Sequence, residues 1–312
     1  MKLLWTTVLV LSCAAAWAQA FAPVQAPEQK IPTFRAEVKL VNVYVTVVDR
    51  NGAPVGGLTQ DDFEIFEDGV AQKTAVFAKE SELPLSIILA LDTSLSTRKD
   101  LKLELDSAHG FVRSILRPVD ALSLYQFAEE TEELVPFTSD ISRIDRGLKR
   151  AHIGSATAMY DAIFLASRAL SRRQGRKVMV VITDGGDTIS RVDYAEALRA
   201  AQIADTIVYS IIDVPIEASA GRNTGGEHAL MQLATDTGGK FYYENSPEEL
   251  NRAFRQVSEE LRTQYLLGYY PVKRLADSDY RRIEVRLKAD AGPRFAGLRP
   301  RHRAGYYTSK AE

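Results

Sequence analysis

Three short stretches carry the side chains whose type and spacing suggest chemistry. Asp92, Ser94 and Ser96 alternate in Asp92-Thr93-Ser94-Leu95-Ser96, Thr157 closes Gly154-Ser155-Ala156-Thr157, and Asp184 sits in Thr183-Asp184-Gly185-Gly186-Asp187. All five offer oxygen, and none offers nitrogen or sulfur. A hard divalent cation takes about six oxygen ligands, and Mg²⁺ in particular holds them near 2.0–2.1 Å and retains several waters. Two carboxylates and three hydroxyls suit such an ion and leave a coordination position open. Mg²⁺ is the expected ion, with Mn²⁺ and Ca²⁺ as alternatives.

These residues can converge only if the surrounding elements bring three distant loops to one place. Residues 85–92 form a continuous apolar run ending in Asp92, the pattern of a parallel strand buried on both faces, and residues 177–183 repeat it before Asp184. Around them the periodicity predicts helices over 98–116, 141–152, 159–172, 194–204, 228–237 and 247–263. Strands are predicted over 121–127, 206–212 and 240–243, with an edge hairpin at 132–137. Such alternation specifies a doubly wound, mostly parallel α/β sheet flanked by helices. Ligands bind that architecture outside the carboxyl ends of the strands, at a topological switch point. The loops after Leu91 and Thr183 then share one edge with the loop holding Thr157. Asp161 and Asp187 lie close in sequence to these loops and are candidates for a supporting layer that orients Thr157 or bound water.

The flanks read differently. Residues 36–49 alternate apolar and polar side chains before the turn signal Asn51-Gly52, residues 63–67 alternate before Asp68-Gly69, and 72–78 resume extended character. From residue 264 the β pattern returns. Neither flank has enough surface to bury a core alone. Segments 33–82 and 264–308 are therefore expected to join in one β-sandwich-like module, with the α/β domain spanning 83–263 between them.

The amino terminus reads as an export signal: Lys2 supplies the charge, residues 3–12 the apolar stretch, and Ala18-Gln19-Ala20 the small-x-small cleavage site before Phe21. A lipoprotein anchor at Cys13 is a competing reading that Leu11 and the short apolar stretch fit less well. No apolar run reaches the roughly 20 residues that span a bilayer. The sequence thus predicts a signal peptide over 1–20, a flexible leader over 21–32, and a periplasmic or extracellular product. Cys13 is the only cysteine, so cleavage removes thiol chemistry and any cysteine metal site. With 39 Lys and Arg against 41 Asp and Glu, and no basic stripe, nucleic acid is not an expected partner.

The order Asp-x-Ser-x-Ser, a Thr in a glycine-containing loop, then Thr-Asp-Gly at a strand end resembles the metal-ion-dependent adhesion site of von Willebrand factor A domains. The resemblance implies that Ser94, Ser96 and, in the partner-bound state, Thr157 touch the metal directly. It further implies that Asp92 and Asp184 hold the ion largely through water, and that a partner's carboxylate takes the open position. The flanks VNVYVTVVDRNGAPVGGLTQDDFEIFEDGVAQK and YLLGYYP, RRIEVRLKA and RAGYY are similar to exported bacterial VWFA-related domain proteins.

Rival readings of the same residues account for less. Asp92, Ser94 or Ser96 could cap the following helix, but a cap needs one oxygen and leaves Thr157 and Asp184 unexplained. Ala90-Leu91-Asp92-Thr93-Ser94 has serine where an aspartic protease needs glycine, and a haloacid dehalogenase-type phosphotransferase needs a second Asp where Ser94 stands. Dinucleotide and P-loop glycine patterns are absent, and His109, His152, His228 and His302 lack metal or triad spacing. Arg281-Arg282 and the arginines of 299–303 form a local basic cluster, read as a charge-protected strand edge rather than a docking patch. The reading is a non-enzymatic, metal-dependent protein-binding module whose unidentified partner supplies a carboxylate. Its alternative is an envelope scaffold whose metal only stabilises the loops.

Overall fold

The computed structural model describes residues 40–79, 83–95, 97, 101–213, 224–272, 280–288 and 295–308. The expected signal peptide (1–20) with Cys13, the leader (21–32), Ser96 and residues 98–100 of the first expected helix lie outside these residues.

At the centre is a six-stranded sheet of β5 (Leu85–Asp92), β6 (Ala121–Phe127), β7 (Thr131–Thr138), β8 (Arg176–Thr183), β9 (Thr206–Asp213) and β10 (Phe241–Glu244), in the order β10-β9-β8-β5-β6-β7. All neighbours are parallel except β6 and β7, which pair as a hairpin. Every residue of β5 is buried. Because side chains alternate across a strand, its two faces build two cores. Leu85, Ile87, Leu89 and Leu91 pack with α1 (Leu101–Ile115), α2 (Ile141–Leu148) and α6 (Pro247–Leu261). Ile88 and Ala90 pack with α3 (Met159–Ser171), α4 (Tyr194–Ile203) and α5 (Thr224–Thr237). Each large apolar side chain so buried contributes about 1.5–3 kcal/mol.

Element ends differ from the sequence expectation where tertiary contacts take over. The helix expected to reach residue 152 stops at Leu148, because the backbone beyond it bonds elsewhere: His152 N–H donates to Gln126 Oε1 at 3.1 Å and Gly154 N–H to the Thr93 carbonyl at 2.8 Å. In the opposite sense, α5 begins at Thr224 rather than 228. Its Gly225-Gly226 pair occupies the first turn, where amides have no intrahelical partner to lose.

The chain ends supply two antiparallel sheets. One has the order β13-β1-β11-β4, from β13 (Arg299–Arg301), β1 (Val41–Val48), β11 (Tyr265–Tyr269) and β4 (Thr74–Lys79). The other has the order β14-β12-β2-β3, from β14 (Gly305–Tyr307), β12 (Tyr280–Leu287), β2 (Phe63–Glu67) and β3 (Val70–Gln72). Val43, Val45, Tyr265 and Leu267 of the first share a core with Phe63, Ile65, Ile283 and Val285 of the second. The single extended stretch read at 72–78 divides at Lys73, so that β3 and β4 pair in different sheets.

These sheets lie against the amino ends of the central strands. Arg176, the first residue of β8, donates to the Leu261 carbonyl and to Gln264 Oε1, both at 2.8 Å, and Gln264 Nε2 reaches Thr46 Oγ1 of β1 at 3.0 Å. Buried Glu260 pairs with Arg301 of β13, and Arg303 pairs with Asp205 in the turn before β9. Gly238, before β10, has φ +83°, and a Cβ there would lie 2.6 Å from Arg303 N. With Arg281–Asp68 and Arg286–Glu284 also paired, four of the tail's arginines (Arg281, Arg286, Arg301 and Arg303) form ion pairs within the chain. The carboxyl ends of the central strands point the other way.

Candidate metal centre

The strand order creates the site. The chain runs from β5 to β6 and β7 on one side, then returns through α3 to β8 on the other, so the carboxyl ends of β5 and β8 are neighbours whose following helices depart to opposite faces. A crevice opens at such a switch point. Asp92 ends β5, Thr183 ends β8, and Thr157 precedes α3 at the same edge.

Asp92 is fully buried and held on both oxygens. Its Oδ1 accepts the Ser94 N–H at 2.8 Å and its Oδ2 the Thr183 hydroxyl at 2.6 Å. Thr183 Oγ1 in turn accepts the Gly185 N–H at 3.1 Å, linking the β5 and β8 loops through one hydroxyl. Thr97 closes the first loop from below: its hydroxyl reaches the carbonyls of Asp92 at 3.1 Å and Ser94 at 3.0 Å. Sequence reasoning assigned no role to Thr183 or Thr97. Their signal was available, since a buried hydroxyl beside a buried carboxylate is a donor that the carboxylate needs.

Asp184 follows β8 and is part-buried, with Oδ1 accepting Gly186 N–H at 3.1 Å. Gly185 has φ +88°, and a Cβ there would meet Glu227 N of α5 at 3.1 Å, so the turn after Asp184 requires glycine on two grounds. Thr157 is buried and fixed through its backbone. Its N–H donates to Thr188 Oγ1 at 3.0 Å, and its carbonyl accepts the N–H groups of Thr188 at 2.8 Å and Ile189 at 3.2 Å. Among the described residues, Thr157 Oγ1 and Asp184 Oδ2 make no hydrogen bond.

Asp161 and Asp187 bond to the backbone and hydroxyl groups of the neighbouring loops. Asp161 Oδ1 accepts the N–H groups of Arg191 at 2.9 Å and Val192 at 3.0 Å. Asp187 Oδ1 accepts Tyr160 N–H at 3.2 Å and the Ser190 hydroxyl at 2.5 Å. The pair sews the loop after β8 to the first turn of α3. The β6–β7 turn joins the same edge, where Ser155 N–H donates to Glu129 Oε2 and Ala158 N–H to the Ala128 carbonyl, each at 2.7 Å.

Electrostatics shows what the arrangement lacks. Burial pushes the Asp92 carboxyl up to about 6, against hydrogen bonds from Thr183 and Ser94, and the charge of Asp184 raises it further. The carboxylates of Asp92 and Asp184 thus repel, and among the described residues the groups that act most on Asp92 are Thr183, Ser94 and Asp184. A divalent cation would supply the missing charge, and the donor set (carboxylates and hydroxyls) is that of a hard ion. Among the described residues no three His, Cys, Asp or Glu side chains are grouped to hold a metal.

Residues 87–186, which include all five candidate positions, match the von Willebrand factor type A domain. The match covers the central part of the chain, from β5 to the loop after β8. Among solved structures, a von Willebrand factor type A protein from Catenulispora acidiphila aligns over 89% of this chain and 76% of its own, with 13% identity and a TM-score of 0.50. That is a likeness of fold, and its extent takes in the flanking sheets as well as the type A domain. Protein BatB from Bacteroides thetaiotaomicron aligns over 56% of this chain and 98% of its own, at 23% identity and a TM-score of 0.46. The vWF domain of the type V pili tip protein Mfa5 from Porphyromonas gingivalis aligns over 57% and 94%, at 14% identity and a TM-score of 0.48. No curated protein sequence matches.

Proposed function

We propose that this chain is an exported binding module in which Asp92, Ser94, Ser96, Thr157 and Asp184 hold a divalent cation, Mg²⁺ first among the candidates. A carboxylate of a partner protein then completes the ion's coordination. The observation that carries the reading is the fully buried Asp92 at the switch point, fastened by Thr183 and Ser94, with the charge of Asp184 acting on it. Thr157 Oγ1 and Asp184 Oδ2 add uncommitted oxygens at the same edge. When bound, the ion supplies a Lewis-acidic position able to take an anionic ligand; this chain's residues supply its cradle. We read the type A-like domain as a protein-binding module, and among the described residues of the site no hydroxyl is paired with a histidine or other general base. We place the domain within residues 83–263 and the β module in 33–82 with 264–308, and we take residues 1–20 as the export signal.

The scaffold reading, in which the ion only stabilises the loops, is weaker. Thr97, Thr183, Thr188, Asp161 and Asp187 already tie those loops together without it.

Thermal unfolding with Mg²⁺ or Mn²⁺ tests the site. At about 100 times its dissociation constant an ion adds roughly 2.7 kcal/mol of stability. The intact protein should show that gain and Asp184→Ala should lose it. An intact protein indifferent to both ions would overturn the reading.

A further inference from the structure

The metal-dependent reading leaves open what surrounds the partner's carboxylate, and the loops themselves speak to that. Each of the three segments that contribute to the site presents one exposed aliphatic side chain. Leu95 follows Ser94 and is 56% exposed, Ile153 precedes Gly154 and is 38% exposed, and Ile189 is 48% exposed. Single exposed aliphatics are ordinary on any protein. These three are brought together by backbone bonds: Gly154 N–H to the Thr93 carbonyl at 2.8 Å sets Ile153 beside the Leu95 loop, and Ile189 N–H to the Thr157 carbonyl at 3.2 Å sets Ile189 against Thr157. All three thus lie on the loops that carry the candidate ligands.

Beside these residues the β6–β7 hairpin is acidic, and the exposed Arg191 is the cation of the neighbouring loop after β8. The β6–β7 hairpin carries Glu129, Glu130, Glu132 and Glu133, all exposed, and Ser155 and Ala158 bond directly to its turn. Asp187 and Asp193 lie in the loop after β8. The whole chain has a net charge of only -2, so this acidity is a local feature of the site edge. An anionic ligand is drawn to the ion yet repelled by the rim, unless it brings positive charge of its own. Apolar contacts inside a polar rim and complementary charge around it are the ordinary means of protein recognition.

Resting on the metal-dependent reading, we propose that this edge docks a protein segment whose coordinating carboxylate is flanked by apolar side chains, with a lysine or arginine facing the β6–β7 hairpin. Leu95, Ile153 and Ile189 cover the apolar neighbours, and the glutamates meet the base. The rim selects against segments that are acidic throughout and against anionic lipid.

The test uses a phage-displayed peptide library panned on the purified full chain in Mg²⁺ and eluted with EDTA, followed by fluorescence anisotropy on the synthesised winners. The expected winners carry a carboxylate with apolar neighbours and a basic residue. Ile153→Ser and Ile189→Ser should each weaken them about tenfold, the change of about 1.4 kcal/mol that a lost apolar contact at a hot spot gives. Both variants should keep the Mg²⁺ thermal shift, since neither residue belongs to the ligand set. Glu130→Gln should lessen the preference for the basic residue. A Mg²⁺ shift without enriched peptides, or winners indifferent to Ile153 and Ile189, would sink the docking surface while the ion site stands. Sedimentation with anionic or zwitterionic vesicles, or Mg²⁺-dependent self-association, would equally overturn it. Loss of the Mg²⁺ shift in the intact chain would instead remove the metal reading beneath it.

Discussion

The hydroxyl of Thr183 sits at the point where two strand ends become one site. It donates to Asp92 at 2.6 Å and accepts from Gly185 at 3.1 Å, so its loss leaves a fully buried carboxylate one bond short and an amide unpaired. Thr183→Val should cost about 1–3 kcal/mol in denaturant unfolding, the penalty of an unsatisfied buried group, while Thr183→Ser should stay near the parent. His302 offers a pH-dependent test at the same scale. Its Nε2 accepts Val285 N–H at 3.0 Å, which leaves Nδ1 as the proton carrier toward the Arg303 carbonyl at 2.7 Å. Burial, with the Arg303 charge, lowers its affinity for a second proton below the ordinary 6.5, against the Arg303 carbonyl and Glu284. Below about pH 6.5 the unfolded chain therefore takes up a proton that the folded chain refuses. Stability is whole above that pH and declines as the pH falls toward the lowered folded value. Urea midpoints from pH 8 to pH 5 should fall less in His302→Gln than in the parent; equal declines would exclude His302 as the cause.

At the scale of elements, the decisive feature is how the loop after β8 is fastened to α3. Asp161 takes two amides from that loop, at Arg191 and Val192, and Asp187 returns the favour at Tyr160. Asp161→Ala should cost about 1 kcal/mol, as losing a cap does, and should speed proteolysis between residues 184 and 193. The Mg²⁺ response should persist in weakened form, because the variant loosens the cradle without removing a ligand. An unchanged proteolysis rate would mean that other contacts hold the loop.

At the scale of the whole molecule, the candidate metal centre and the antiparallel sheets occupy opposite ends of the central sheet. The far end is joined by buried charge. Glu260, 1% exposed, pairs with Arg301 and lies 3.8 Å from Lys240, while Arg176, also 1% exposed, ties β8 to Leu261 and Gln264. Arg301→Met strands Glu260 in a low-dielectric junction and should cost about 3 kcal/mol. Because this junction lies away from Asp92, the Mg²⁺ shift of Arg301→Met should match that of the parent. A reduced shift would reveal coupling between the two ends.

Much of this molecule was legible in its residues. The apolar run of β5 closing on Asp92, and its echo in β8 before Asp184, identify two buried parallel strands and the edge at which both carboxylates lie. The apolar runs specify that, because a strand buried on both faces is apolar along most of its length. Packing settled other matters. The α2 helix stops at Leu148 because residues beyond it bond to β6 and to the loop after β5, and the stretch at 72–78 divides because β3 and β4 pair in different sheets. Asp161 and Asp187, visible as carboxylates near the site, became loop fasteners only once Arg191, Val192 and Tyr160 lay beside them. Local pattern records which face of an element is buried, whereas the partner of a backbone amide or a lone carboxylate depends on residues tens of positions away. Those partners exist only after the chain has closed on itself.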